Sequence, residues 1–228
     1  MLILGIDSTA VAASVAIADI DGGVVSGHSS FVLKNRLTHS ETLMPMIDSA
    51  LKVYGRNIGD VELIAVNAGP GSFTGVRIGV ATAKGLADGL GIKCAAVSTL
   101  ESLSRNVRGF GGTVCPLMDA RRGQFYNALF KGTKRLCPDR AISAEELSAE
   151  LDKTNGKVIL CGDGANVYAE LYKGKKRLLL APEVAVDQNA LSTAICGYEA
   201  YKNNTCVDSV DLKPVYLRMS RAERMKNQ

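Results

Sequence analysis

Residues Ile64–Gly91, IAVNAGPGSFTGVRIGVATAKGLADGLG, decide the fold. The apolar run Leu63–Val66 breaks into a loop with three glycines and a proline between Gly69 and Gly75, and a long helix of small residues follows from about Val76. This is the grammar of strand, tight loop and helix. Gly69, Gly71 and Gly75 permit positive φ or close approach of the backbone to chain or ligand. The first-turn N–H groups of such a helix lack intrahelical partners and carry the positive end of its dipole, so the loop suits an anion, phosphate or carboxylate. The alternative is a plain strand-to-helix turn with Ser72 or Thr74 as the cap.

Known phosphate loops do not match. A P-loop would need Gly-Lys-Ser/Thr after four residues, and Lys84 lies too far along the helix. The dinucleotide pattern would put its third glycine at Thr74, and a nucleophile elbow would need glycines at Pro70 and Thr74. Gly79, Ala81, Ala83, Gly85 and Ala87 leave the helix with a nearly flat face. Mid-helix glycine costs roughly 1 kcal/mol relative to alanine, so that face predicts close packing, against the chain's own sheet or against another protein.

AGPGSFTGVRIGVATAKGLA, with LGIDSTA and HSETLMP before it and MDARRGQFY and KPVYLR after it, resembles the bacterial TsaB (YeaZ) family from about Leu2 to Arg218. The resemblance implies a non-catalytic partner in making threonylcarbamoyladenosine beside the tRNA anticodon. It implies pairing with a metal-bearing catalytic paralogue, TsaD, recruitment of a small ATPase, TsaE, tRNA as substrate of the whole complex, and self-association when the paralogue is absent. It also implies a cytoplasmic protein with no cofactor of its own, the interface of the complex being left open to ATP or ADP. The interface is expected on the helices after His39 and after Gly75, through Leu43, Met46, Ile47, Gly79, Ala83 and Leu86; an otherwise buried helix pair would show the same pattern. Asp7, Gly69, Gly71, Ser72, Thr74, Gly75 and Arg77 are the candidate anion, nucleotide or partner contacts.

The 228 residues, 46% of them apolar, are long enough for one large or two small domains. Residues 1–113 hold nine basic and nine acidic side chains and residues 114–228 hold eighteen and fourteen, so the whole formal charge of +4 falls in the second half. Clusters at Lys131–Arg135, Lys173–Arg177 and Arg218–Lys226 either face an anionic polymer such as tRNA or form a solvated surface. The six cysteines have neither Cys-x-x-Cys nor zinc spacing, which reads as a reduced protein. No basic leader precedes the first apolar run, and no stretch is long enough for a membrane span.

Before the central stretch, Leu2–Asp7, Ala12–Ala18 and Val24–Ser30 form three strands of a meander. A capping box, Thr38 with Glu41, then opens a helix in which Pro45 marks the first turn or a kink. A strand at Lys93–Val97 and a second capping box, Ser98 with Glu101, complete β-β-β-α-β-α-β-α. The glycines of Gly109–Gly112 mark a boundary between lobes 1–108 and 109–228, and the pattern restarts: Val114–Asp119 ends in Asp, and Phe125–Phe130 is the next strand. Ser143 and Glu146 cap a helix, Lys157–Cys161 and Leu178–Leu180 are strands, and Ala165–Tyr172 and Asn189–Tyr201 are helices. The fold class is α/β with two ribonuclease-H-like lobes of the actin-like ATPase kind, the second reduced, the last helix or tail returning to the first lobe. Ser220–Gln228 is too polar to pack.

Relatives of this architecture use an Asp at the end of the first strand to position metal-bound nucleotide, and Asp7 and Asp119 match that place. An autonomous nucleotide-dependent kinase or ATPase is therefore the rival function. Asp7-Ser8-Thr9 lacks the glycine that admits phosphate, and Asp119 is followed by Arg121 and Arg122. The catalytic paralogue carries His-x-x-x-His on the helix after the meander, whereas here His39 is followed at that spacing by Leu43, so no metal site is expected. A peptidase triad of Ser72, His39 and Asp7 stays open at this level.

Overall fold

The computed structural model describes residues 1–35 and 37–218; the tail Ser220–Gln228 and most of the Arg218–Lys226 cluster lie outside them. The chain runs β1 (Leu2–Asp7), β2 (Ala13–Asp21), β3 (Val24–Leu33), α1 (His39–Tyr54), β4 (Leu63–Gly69), α2 (Phe73–Leu90), β5 (Cys94–Ser98) and α3 (Thr99–Arg105). It continues with β6 (Thr113–Asp119), β7 (Gln124–Asn127), β8 (Phe130–Lys131), β9 (Lys134–Arg135), β10 (Arg140–Ser143), α4 (Ala144–Lys153) and β11 (Val158–Cys161). Last come α5 (Ala165–Leu171), β12 (Leu178–Leu180), α6 (Glu183–Val186) and α7 (Ala190–Lys202).

The first sheet has the order β3-β2-β1-β4-β5 and the second β10-β7-β6-β11-β12, with β8 and β9 added beside β6. The two orders are one topology used twice. In each, the first strand pairs antiparallel with the second and parallel with the fourth. Expected Phe125–Phe130 is not one strand but β7 and β8: Asn127 turns its amide back onto the carbonyls of Pro116 and Ala128, at 3.1 and 3.0 Å, and the ladder breaks there.

Period-two alternation gives the first sheet two apolar faces. Leu4, Ile6, Val15, Ile64 and Val66 meet α1 and α2 on one side. Ile3, Ala18, Leu63, Ala65 and Ala95 meet α7 on the other. Each fully buried Leu or Ile contributes roughly 1.5–3 kcal/mol. α7 lies close because small residues face small residues: a Cβ on Gly5 would collide with the Ala190 carbonyl, and one on Gly197 with Ala65. Ser14 Oγ, inside the core, accepts the Ala190 N–H at 2.8 Å.

The last helices of the two halves are exchanged. α7, last in the second half, covers the first sheet, whereas α3, last in the first half, packs its Leu100 and Leu103 on Val114, Met118 and Phe130 of the second. They touch through Ser102 and Thr193, whose hydroxyls are 3.0 Å apart, and through Arg105, which bridges Glu101 and Glu199 at 3.2 and 2.6 Å. The Ser98–Glu101 pair is therefore only half a capping box. Ser98 Oγ accepts the Glu101 N–H, but the Glu101 carboxylate is taken by Arg105 and Arg135.

After α7 the chain returns along the first sheet. Cys94 and Val207 form an antiparallel bridge, Leu212 is buried in the first core, and Val215 N–H donates to the Ala68 carbonyl at 2.7 Å. Among the described residues, no helix is long and apolar enough to cross a membrane.

Candidate functional site

The two sheets face each other across a cleft of about 620 Å³. The first half supplies Thr9–Val11, His39 and the start of α2; the second supplies Met118–Arg121, Tyr126 and Asp163; Arg218 comes from the returning segment. The central loop decides the near wall. α2 begins at Phe73, earlier than the expected Val76, because Ser72 is the N-cap and its Oγ accepts the Gly75 N–H at 3.4 Å. Ser72 and Thr74 line the cleft and are exposed.

The glycines serve the chain itself more than a ligand. A Cβ on Gly71 would lie 2.6 Å from the Thr9 carbonyl, one on Gly75 would collide with the Ser8 carbonyl, and one on Gly79 with Ser8 Oγ. Ser72 N–H donates to the Thr9 carbonyl at 2.7 Å and Ser8 Oγ–H to the Gly75 carbonyl at 2.8 Å. Gly69, at φ +129°, abuts the Val215 carbonyl. The loop and the β1–β2 turn are one interlocked unit.

Asp7 does not reach the cleft, contrary to its expected role as a nucleotide contact. It is fully buried; Oδ1 accepts from Thr9 N and Oγ1 at 2.9 and 2.7 Å, and Oδ2 accepts from Asn67 Nδ2. Burial pushes its pKa up to about 6 against the pull of those donors. Asp119 does line the cleft, its Oδ2 held 3.4 Å from Arg121. Asp163, which sequence reasoning missed, lies beside it; desolvation raises its pKa to about 6. Only its place after Gly162, the glycine that follows β11, could have flagged it.

His39 Nε2 sits 2.8 Å from the Ala10 carbonyl, which makes that nitrogen the donor. Leu43, one turn on, is 1% exposed and belongs to the first core. The triad is not assembled: Ser72, His39 and Asp7 each spend their hydrogen bonds on different partners, Gly75, Ala10 and the Thr9–Asn67 pair. Elsewhere, Glu101, Cys196 and Glu199 converge within 4.8 Å among the described residues, but the Arg105 guanidinium already supplies the cation there.

The expected interface residues need correcting. Leu43, Met46, Ile47, Gly79 and Ala83 are buried in the chain's own core, and Leu86 is half-buried against it. The faces of α1 and α2 that remain exposed carry Met44, Asp48 and Val53, and Thr74, Arg77, Ala81 and Gly85. Arg77 itself is engaged: its Nε donates to Tyr216 Oη at 2.8 Å. Of the basic clusters, Arg135 pairs with Glu101 and Asp139, Lys173 with Glu170 and Lys175 with Asp152. All six cysteines are free, and burial raises the Cys94 thiol to about 11 and the Cys161 and Cys196 thiols to about 12.

Two sheets of one topology, each with an acid at the end of its first strand and a cleft between, place the molecule among the actin-like, ribonuclease-H-like proteins. A family model described as "TsaD: tRNA N6-adenosine threonylcarbamoyltransferase" matches residues 29–199. The tRNA threonylcarbamoyladenosine biosynthesis protein TsaB of Bacillus subtilis (strain 168) is 32% identical, over 98% of this chain and 96% of its own length. TsaB of Escherichia coli (strain K12) is 30% identical, over 96% and 95%. A Pseudomonas aeruginosa crystal structure described as similar to peptidase YeaZ superposes with a TM-score of 0.80 at 25% identity, over 95% of this chain and 99% of that one. The chain belongs to the TsaB (YeaZ) family.

Proposed function

We propose that this chain is a non-catalytic scaffold subunit in the formation of N6-threonylcarbamoyladenosine on tRNA, pairing with a TsaD-like paralogue and presenting the pair to a TsaE-like ATPase. One observation carries the reading. The position where the catalytic paralogue would place its second metal-gripping histidine is Leu43, sealed in the apolar core, and His39 is bound to a backbone carbonyl. Asp7, buried and saturated by Thr9 and Asn67, gives the first strand a structural acid in place of a nucleotide-positioning one. The docking face is the exposed side of α1 and α2, with Met44, Val53, Ala81 and Gly85. In the absence of the paralogue the same face serves a homodimer. Bound ATP or ADP belongs to the assembled complex, where the cleft-facing start of α2 offers the first-turn N–H groups of Phe73 and Thr74 to an anion.

The test is reconstitution: tRNA, threonylcarbamoyl-adenylate and the paralogue, with and without this chain, then with the ATPase and ATP, scoring modified nucleoside by mass. Modification that requires the chain and survives Asp7→Asn supports the scaffold. Modification at the same rate without it overturns the role.

A further inference from the structure

Strand pairing gathers basic residues from separate stretches at one end of the second sheet. Lys131 on β8 is the ladder partner of Thr113 at the start of β6. On the other flank of Thr113, its N–H donates to the Lys157 carbonyl at 3.0 Å. Lys134 pairs with Lys131 across the β8–β9 hairpin. Adjacent strands lie about 4.8 Å apart, so the three lysines form a short row. All three are exposed, and none forms an ion pair among the described residues, unlike Arg135, Lys173 and Lys175 of the second half.

The row borders a groove of about 330 Å³ between Lys131 and Lys157, walled by Phe110 and Asn155. Phe110 is half-buried, its N–H donating to the Val107 carbonyl at 3.0 Å. A Cβ on Gly112 would lie 2.6 Å from the Phe110 ring and collide with the Lys157 carbonyl, so only glycine leaves the ring and the lysine side by side.

From this arrangement we infer that the groove at Phe110, Lys131 and Lys157 is an RNA contact, the lysines holding phosphates and the ring receiving an unstacked base. Lysines without acidic partners are suited to releasing counterions from a phosphate backbone. An aromatic face beside them is what unpaired nucleotides stack on. An acidic protein partner would ask for a larger apolar centre than one ring. The choice of RNA rests on the tRNA-modification role proposed above; the location does not.

The experiment uses the full chain and a fluorescent tRNA transcript, read by anisotropy from about 50 to about 200 mM salt. The wild type is expected to bind at low salt. The double variant Lys131→Glu/Lys157→Glu should lose roughly tenfold or more, with a log K against log salt slope shallower by about 1.5, as for two lost phosphate contacts. Phe110→Ala should lose about fivefold with the slope unchanged, its melting temperature confirming the fold. Lys52→Glu, on α1, should bind like the wild type. No wild-type binding at low salt, or binding that the double variant leaves intact, overturns the inference. Displacement by polyglutamate as effective as by RNA also overturns it and makes the groove a protein-docking face. RNA binding lost in the double variant, together with modification that never needed the chain, sinks the scaffold and keeps the groove. Modification that requires the chain but ignores the double variant sinks the groove and keeps the scaffold.

Discussion

Arg77 and Tyr216, 139 positions apart, meet through a 2.8 Å hydrogen bond from Nε to Oη. The Tyr216 ring stacks on Phe73 with centroids 4.4 Å apart and planes at 11°, and the guanidinium lies 5.5 and 5.6 Å from the two rings. This cluster fastens the segment after Leu212 to the start of α2, beside the cleft.

Tyr216→Ala should therefore loosen the segment after Leu212. A stacked pair contributes about 1 kcal/mol, and Tyr216→Phe, which keeps the stack and loses the hydrogen bond, should cost about half as much or less. Urea unfolding and the rate of limited proteolysis near the carboxyl end check this order.

Gly75→Ala should destabilise by about 2 to 3 kcal/mol, because its Cβ meets the Ser8 carbonyl and one of two buried backbone segments must shift. Gly85→Leu is the contrasting probe. No atom lies within 4 Å of the Cβ it would gain, and leucine is the better helix former by roughly 0.8 kcal/mol. The fold should be as stable or more so, while pairing with a TsaD-like paralogue, measured by calorimetry, should weaken if α2 is the docking face.

Leu43→His restores the His-x-x-x-His spacing but not a metal site. Leu43 faces the first core, so an imidazole there loses apolar burial and strands a polar nitrogen, at a cost of about 3 kcal/mol. Thermal melts with and without divalent zinc should show that loss and no metal-dependent recovery.

Asp7 fixes a pH dependence. Its folded pKa of about 6 lies above the 3.8 of an exposed carboxyl, so the folded state holds this proton more tightly. Stability from this group is fully present below about pH 4 and is lost as pH rises through about 6, by an amount of order 2 to 3 kcal/mol. Asp163 works in the same direction and the same window. Urea midpoints of Asp7→Asn should fall less steeply between pH 4 and 6 than those of the wild type; parallel profiles would contradict the assignment.

Most of the fold was legible locally. The Thr38–Glu41 and Ser143–Glu146 boxes open α1 and α4 where their spacing says, and the repeated strand-acid-turn-strand pattern at Asp7 and Asp119 announced two copies of one topology. β10 and α6 were not legible, since four residues carry too little periodicity to stand out. The site was harder. The glycine loop was found, but its glycines answer to Ser8, Thr9 and Val215; Asp7 was found, but its carboxyl turns inward to Asn67.

The sequence alone determined most of the elements, their duplication and the family, because caps, turns and apolar periods act over a few residues and the central stretch is distinctive. Tertiary structure decided which side of each element meets what. The same small-residue pattern, Gly79 and Ala83, serves equally for a partner or for one's own sheet, and only packing against Ser8 and Val66 chose the sheet. It also decided the exchange of α3 and α7 and the docking of Tyr216 on Arg77. These join residues about ninety or more positions apart, and a pattern in one stretch holds no record of a contact whose energy exists only once both surfaces are buried together.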